Sequence, residues 1–437
     1  MSITKKVVSL LLAFVFTANL HIKAFAEEVQ TSSESPYSEP ASIWQREKLT
    51  GDWWGLRSDL ANRGITFDII SSHYYQDIVD GGVRESDDYG GKMDYIMNVD
   101  WSKNGLWDGL LMNVHAETQF GNSIVGDAGA FSFPNTSMLF PKPDYSGTAV
   151  TGLYFQQAFN ENFAVLGGKL NVLDVWTMVY PHTGAGLDGF MNTNMLAAAL
   201  PWLRWVNLSV MGGGALALTD DGQIDSGILV HGTKDVATTS GFSDMFKDGV
   251  AAFGLKRFFF DVDGCKPASF LIAAGMSTRD YASLDRTDWT ALPAEGLSFD
   301  RKEETWSAAA YYDQVLWQCR GNEKQNLRLL TGWSLSDGNP SFAEWGGFAS
   351  VEGWGLLPNR PADRMGIGGF YNEISSELKD LTEVAGFELE DIYGIEAYYN
   401  MAVTPSMHLT GDIQVIDSLN KGDDAAVILG LRAVIDF

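Results

Sequence analysis

Past its first 26 residues this chain has no long apolar run, yet segments of about ten residues keep alternating apolar with polar side chains. The closing segment sets Val427, Leu429, Leu431, Ala433, Ile435 and Phe437 on one face and Arg432 and Asp436 on the other. Met407, Leu409, Ile413 and Val415 alternate with His408, Thr410, Asp412 and Gln414 in the same way, and Met112, Val114, Ala116 and Phe120 with Asn113, His115, Glu117 and Gln119. A period of two is a strand with one greasy side. Half-buried sandwich strands alternate too, but they usually run about 5–6 residues, whereas a bilayer-crossing strand needs about 9–11. Lipid offers no water to stray backbone groups, so strands cross it only as a closed barrel.

Laid along the chain, the pattern predicts strands near 64–76, 92–102, 110–120, 150–159, 162–174, 205–218, 222–232, 250–261, 268–278, 305–317, 326–336, 345–355, 364–374, 390–401, 406–416 and 425–437. The number is even, as in bacterial outer-membrane barrels, and short connections alternate with long ones. The expected fold is therefore all-β, an antiparallel up-and-down transmembrane β-barrel of about 16 strands. Lys256 and Arg257 interrupt the alternation in 250–261, where a bulge is expected. Residues 52–62, with Trp53, Leu56 and Leu60 on one stripe, predict a short periplasmic helix ahead of the barrel.

Lys5 and Lys6 precede the apolar run 7–16, and Ala24-Phe25-Ala26 supplies a small-x-small cleavage pattern. The expected organisation is a signal peptide at 1–26 cut after Ala26, a flexible leader at 27–48, an amphipathic helix at 49–63 and the barrel at 64–437. Export and a barrel place the chain in the bacterial outer membrane. Phe437 closes the apolar face of the last strand and fits the signature that outer-membrane assembly machinery recognises. With 30 basic and 56 acidic residues the formal charge is −26, which tells against nucleic acid, since backbone binding needs Lys and Arg to neutralise phosphate. The acids gather in the long connections and predict an outer rim bridged by divalent cations to lipid and lipopolysaccharide head groups. The six His residues form no H-E-x-x-H pair, and neither a G-x-S-x-G elbow nor a phosphate loop occurs. No enzyme, cofactor or metal is expected. An exported β-rich carbohydrate-binding protein is the remote alternative.

The stretch Gly51-Asp52-Trp53-Trp54-Gly55-Leu56-Arg57 resembles the opening motif of the carbohydrate-selective porins, the OprB family, with Trp54 where that family usually has Gly. Asn135-Thr136, Gly168-Lys169-Leu170, Leu357-Pro358-Asn359-Arg360-Pro361-Ala362-Asp363-Arg364 and Gly430-Leu431-Arg432 resemble further stretches in the same order, over about 44–437. The resemblance implies a porin that passes small carbohydrates, monosaccharides such as glucose, by passive diffusion, as a homotrimer or monomer. A porin for other small solutes or inorganic cations is the alternative. Porins narrow the lumen with inward-folded loops. The apolar loop 121–149, with Phe131, Phe133, Asn135 and Tyr145, is the candidate constriction, and capping of the barrel rim is the other reading of it.

If apolar faces meet lipid, the opposite faces turn Asp94, Glu117, Lys169, Arg328, Arg364, Glu396, Asp412 and Arg432 into the lumen. Arg forks and carboxylates bond sugar hydroxyls well, and the mixed signs leave no strong ion field. These eight are the expected channel-lining and sugar-selecting residues. Cys265 and Cys319 fall at the periplasmic ends of neighbouring predicted strands, in an oxidising compartment, and predict a disulfide.

Overall fold

The computed structural model describes residues 42–129, 133–143, 145–243, 245–292 and 296–437. The expected signal peptide and most of the leader lie outside the described residues. Sixteen strands form one closed barrel in chain order: β1 (Ile65–Asp80), β2 (Asp87–Asp100), β3 (Leu110–Gly121), β4 (Gly147–Asn160), β5 (Phe163–Asn171), β6 (Ser209–Leu218), β7 (Ile224–Gly232), β8 (Val250–Val262), β9 (Lys266–Ser277), β10 (Thr305–Cys319), β11 (Asn322–Ser336), β12 (Ala343–Trp354), β13 (Arg364–Ile374), β14 (Ile392–Thr404), β15 (Met407–Ile416) and β16 (Ala426–Asp436). Each pairs antiparallel with its neighbours, and β1 pairs with β16 from Ile70 opposite Asp436 to close the cylinder. Connections such as 161–162, 263–265, 320–321 and 405–406 are tight, while 122–146, 172–208, 233–249 and 278–304 are long and lie at the other end.

The alternation falls where lipid demands it. Leu409, Ile413, Leu429 and Leu431 are exposed on the outer face, while Gln414, Ile428 and Arg432 in the same strands are wholly buried. All sixteen expected strands are present, and three local readings are corrected. The strand expected over 162–174 stops at Asn171, because the Asn171 side chain accepts from Leu173 N at 2.9 Å and caps the helix α2 (Val172–Val179). No bulge interrupts β8, which stays in register with β7 and β9. Arg257 instead faces inward, and Lys256 pairs with Asp225 at 2.6 Å. The helix ahead of the barrel, α1 (Leu56–Asn62), starts later than expected, since Trp53 and Trp54 hold positive φ angles of 51° and 58°. Its stripe is not buried; Leu56 is exposed.

The segment before β1 fastens to the seam. Lys48 bridges Asp68 and Asp436, both at 2.6 Å, and Arg57 donates to the terminal Phe437 carbonyl at 2.7 Å. Phe437 N donates in turn to Ile69 O at 2.8 Å. The expected disulfide is not formed: Cys265 and Cys319 are both free. Pairing of β9 with β10 ends at Ala268 and Gln314; beyond it Cys265 turns back toward β8, and Cys319 pairs across its own hairpin with Asn322.

Candidate functional site

Two long loops fold into the barrel. The first, between β3 and β4, is the one whose apolar composition made it the expected constriction. Asn135 is wholly buried and donates to Gln76 on the wall at 3.0 Å, Gln414 donates to Pro134 O at 2.9 Å, and Gln119 holds Tyr145 N at 3.0 Å. Phe133 is half-buried, its carbonyl accepting from Thr193 N at 3.2 Å. Phe131 lies outside the described residues.

The second loop, 172–208 between β5 and β6, was expected only as a long connection. It carries α2 (Val172–Val179) and α3 (Thr193–Leu196), and it runs round the inner wall. Arg257 on β8 donates to Val179 O at 2.8 Å, Arg364 on β13 to His182 O at 2.6 Å, and Arg432 on β16 to Gly186 O and Gly189 O, each at 2.8 Å. Glu396 accepts from Met191 N at 2.6 Å and Asn192 N at 3.0 Å. Ser334 and Ser307 reach Ala198 O and Pro201 O at 2.6 and 2.8 Å. A loop pulled off water needs such partners for each carbonyl and N–H. The loops also meet: Thr136 N donates to Met191 O at 2.8 Å. Glycines on the wall make room, since a Cβ at Gly368 would stand 2.2 Å from Met195 Cε.

Seven of the eight expected channel-lining residues are thus buried: Asp94, Glu117, Lys169, Arg364, Glu396, Asp412 and Arg432. Lys169 donates to Ala237 O and Thr239 O, at 3.2 and 2.7 Å, and fastens a third loop. Asp412 accepts from Gln414 at 2.9 Å. Asp94 and Glu117 join Lys92 and His115 in a compact cluster, in which Lys92 lies 2.9 Å from Asp94 and 2.8 Å from Glu117. Asp94, His115 and Glu117 have metal-ligand spacing, but the Lys92 ammonium takes the position between the two carboxylates that a cation would fill.

Arg328 differs. Its side chain is 25% exposed and pairs with Asp313 at 2.7 Å. The inserted loop adds three partly open groups that the strand pattern did not reveal: Asp174, 2.9 Å from His115; His182, 3.8 Å from Asp313; and Asp188, 48% exposed and 2.8 Å from Arg364. Burial, together with Arg328, Arg364 and Arg257, holds the His182 imidazole well below its usual 6.5. It is neutral at pH 7, able both to donate and to accept. The open inner surface therefore offers forked donors, carboxylate acceptors and a neutral imidazole, with opposite charges paired.

No curated protein matches the chain in sequence. Among solved structures, OprB of Pseudomonas putida at high pH superposes with a TM-score of 0.76 at 16% identity, covering 91% of this chain and 100% of that one. The low-pH structure of the same porin gives 0.54 at 13%, over 90% and 99%. These likenesses establish the fold. The family model described as carbohydrate-selective porin, OprB family, matches residues 84–437. The chain belongs to that family of outer-membrane channels, and it is a carbohydrate porin and not an enzyme.

Proposed function

We propose that this porin admits small neutral monosaccharides such as glucose, and that the open polar groups on and beside the 172–208 loop select them. The observation that carries this reading is the pairing of Arg328 with Asp313 and of Arg364 with Asp188, at 2.7 and 2.8 Å, beside neutral His182. Hydroxyl-rich solutes find donors and acceptors within reach, and the paired charges leave little field to attract an ion.

Liposome uptake of a sugar panel tests it, with Arg328→Ala and Asp188→Asn beside the parent chain. The expected result is slower uptake and altered preference in at least one variant. Unchanged rates and preference in both would refute the assignment, as would strong cation selectivity in planar bilayers with no block by any sugar.

The same reading includes cleavage of the exported chain after Ala26, use of Phe437 by the assembly machinery, contact of the rim with lipid and lipopolysaccharide, and function as a homotrimer or monomer. The bond from Phe437 N to Ile69 O supports the second, since it ties Phe437 into the β1–β16 seam.

A further inference from the structure

Inside the barrel, between the inserted loops and the wall of β8–β10, lies a cavity of about 220 Å³ whose lining is almost wholly hydrocarbon. Trp176, Leu203, Phe253, Leu271, Ala309 and Tyr311 form much of it. A bare sugar gains nothing there, because each hydroxyl would leave water without a new partner. Apolar cavities of about 150 Å³ stay dry and accept guests of benzene size, so this one has room for a substituted ring.

A run of packed rings leads from the cavity lining toward the polar groups. Trp176 and Tyr311 stand 5.1 Å apart, and Tyr180 packs on them at 5.0 and 5.9 Å. His182 meets Tyr180 edge-on at 5.8 Å, and Asp313 with its partner Arg328 lies just beyond. The buried Tyr180 hydroxyl has no hydrogen-bond partner among the described residues.

We propose, resting on the sugar-channel reading above, that the lumen favours small aryl glycosides over free monosaccharides: the aglycone ring enters the apolar cavity while the sugar hydroxyls meet His182 and Arg328. A free sugar uses only the polar half of this site. Selection then depends on two adjoining surfaces of opposite character, one supplied by β8–β10 and one by the inserted loop.

Block of ionic current through the full chain in planar bilayers tests the proposal, with glucose, phenyl glucoside and phenol as probes. Phenyl glucoside is expected to half-block at a concentration about tenfold below glucose, a gain of the size that ring burial provides. Ala309→Phe, or the milder Ala273→Leu should the first fail to assemble, fills the cavity and brings that ratio close to one. Equal half-blocking concentrations for glucose and phenyl glucoside in the parent would overturn the proposal, as would a ratio that survives both substitutions. Phenol blocking as well as phenyl glucoside would overturn the two-part ligand. Absence of block by glucose and by the glycoside alike would defeat the sugar-channel reading itself, a result distinct from glucose block without aryl preference.

Discussion

Arg432→Ala removes a wholly buried strap between wall and loop. The side chain is fully buried; it donates to Gly186 O and Gly189 O, each at 2.8 Å, and to Thr410 Oγ1 at 3.0 Å. Hydrogen bonds from a charged donor contribute about 1.5–3 kcal/mol each, so the two loop bonds hold docking by about 3–6 kcal/mol. At about 1.4 kcal/mol per factor of ten, loop opening should rise by on the order of 10²–10⁴. Native-state hydrogen exchange in detergent reads this directly: amides over 183–196 should exchange faster by that factor, while those of β14–β16 keep their protection because the strand ladder is untouched. Arg432→Lys keeps the charge but loses the planar fork that serves two carbonyls at once, and should fall between. Loop exchange within about threefold of the parent in Arg432→Ala would refute the idea that wall arginines hold the loop.

Two further consequences follow from the same geometry. Gly368→Val places a side chain where Met195 Cε would lie 2.2 Å from the new Cβ, and overpacking of this kind costs about 1–3 kcal/mol; a lower midpoint of thermal unfolding is expected, whereas Gly411→Ala, with open space around it, should leave the midpoint unchanged. His182 is held well below 6.5 in the docked loop by burial and by Arg328, Arg364 and Arg257, so the released loop binds a proton more readily. Docking is then complete above pH about 6.5 and weakens as pH falls below it. Loop exchange compared at pH 7 and pH 5 should show the loss, and His182→Gln should flatten it.

The barrel was legible because lipid imposes its rule on every second residue: Leu429 and Leu431 must be apolar whatever the lumen does, and the register of β15 and β16 follows. Strand ends were less legible where a side chain changes the local rule, as Asn171 does by capping α2. The inward direction of Arg364, Glu396 and Arg432 could be read from parity, but their partners could not, because those are carbonyls and amides of a loop with no periodicity. A signal for that loop did exist. Phe190, Met191, Met195, Leu196, Leu200, Trp202 and Trp205 make it far too apolar to sit in water, the same argument that marked the loop ahead of it.

That difference alters how any wall substitution in this porin has to be read. Arg364 and Arg432 look like selectivity residues by position and charge, yet Arg364 reaches His182 O and Asp188, and Arg432 reaches Gly186 O and Gly189 O. Removing either changes solute flux by way of the loop, and the change would be mistaken for a lost contact with sugar. A direct contact leaves a different mark. Arg328 is partly open and pairs with Asp313 rather than with the loop backbone, so Arg328→Ala should alter sugar preference with loop exchange unchanged. Measuring exchange and flux on the same variants therefore separates the groups that meet solute from those that hold the surface solute meets.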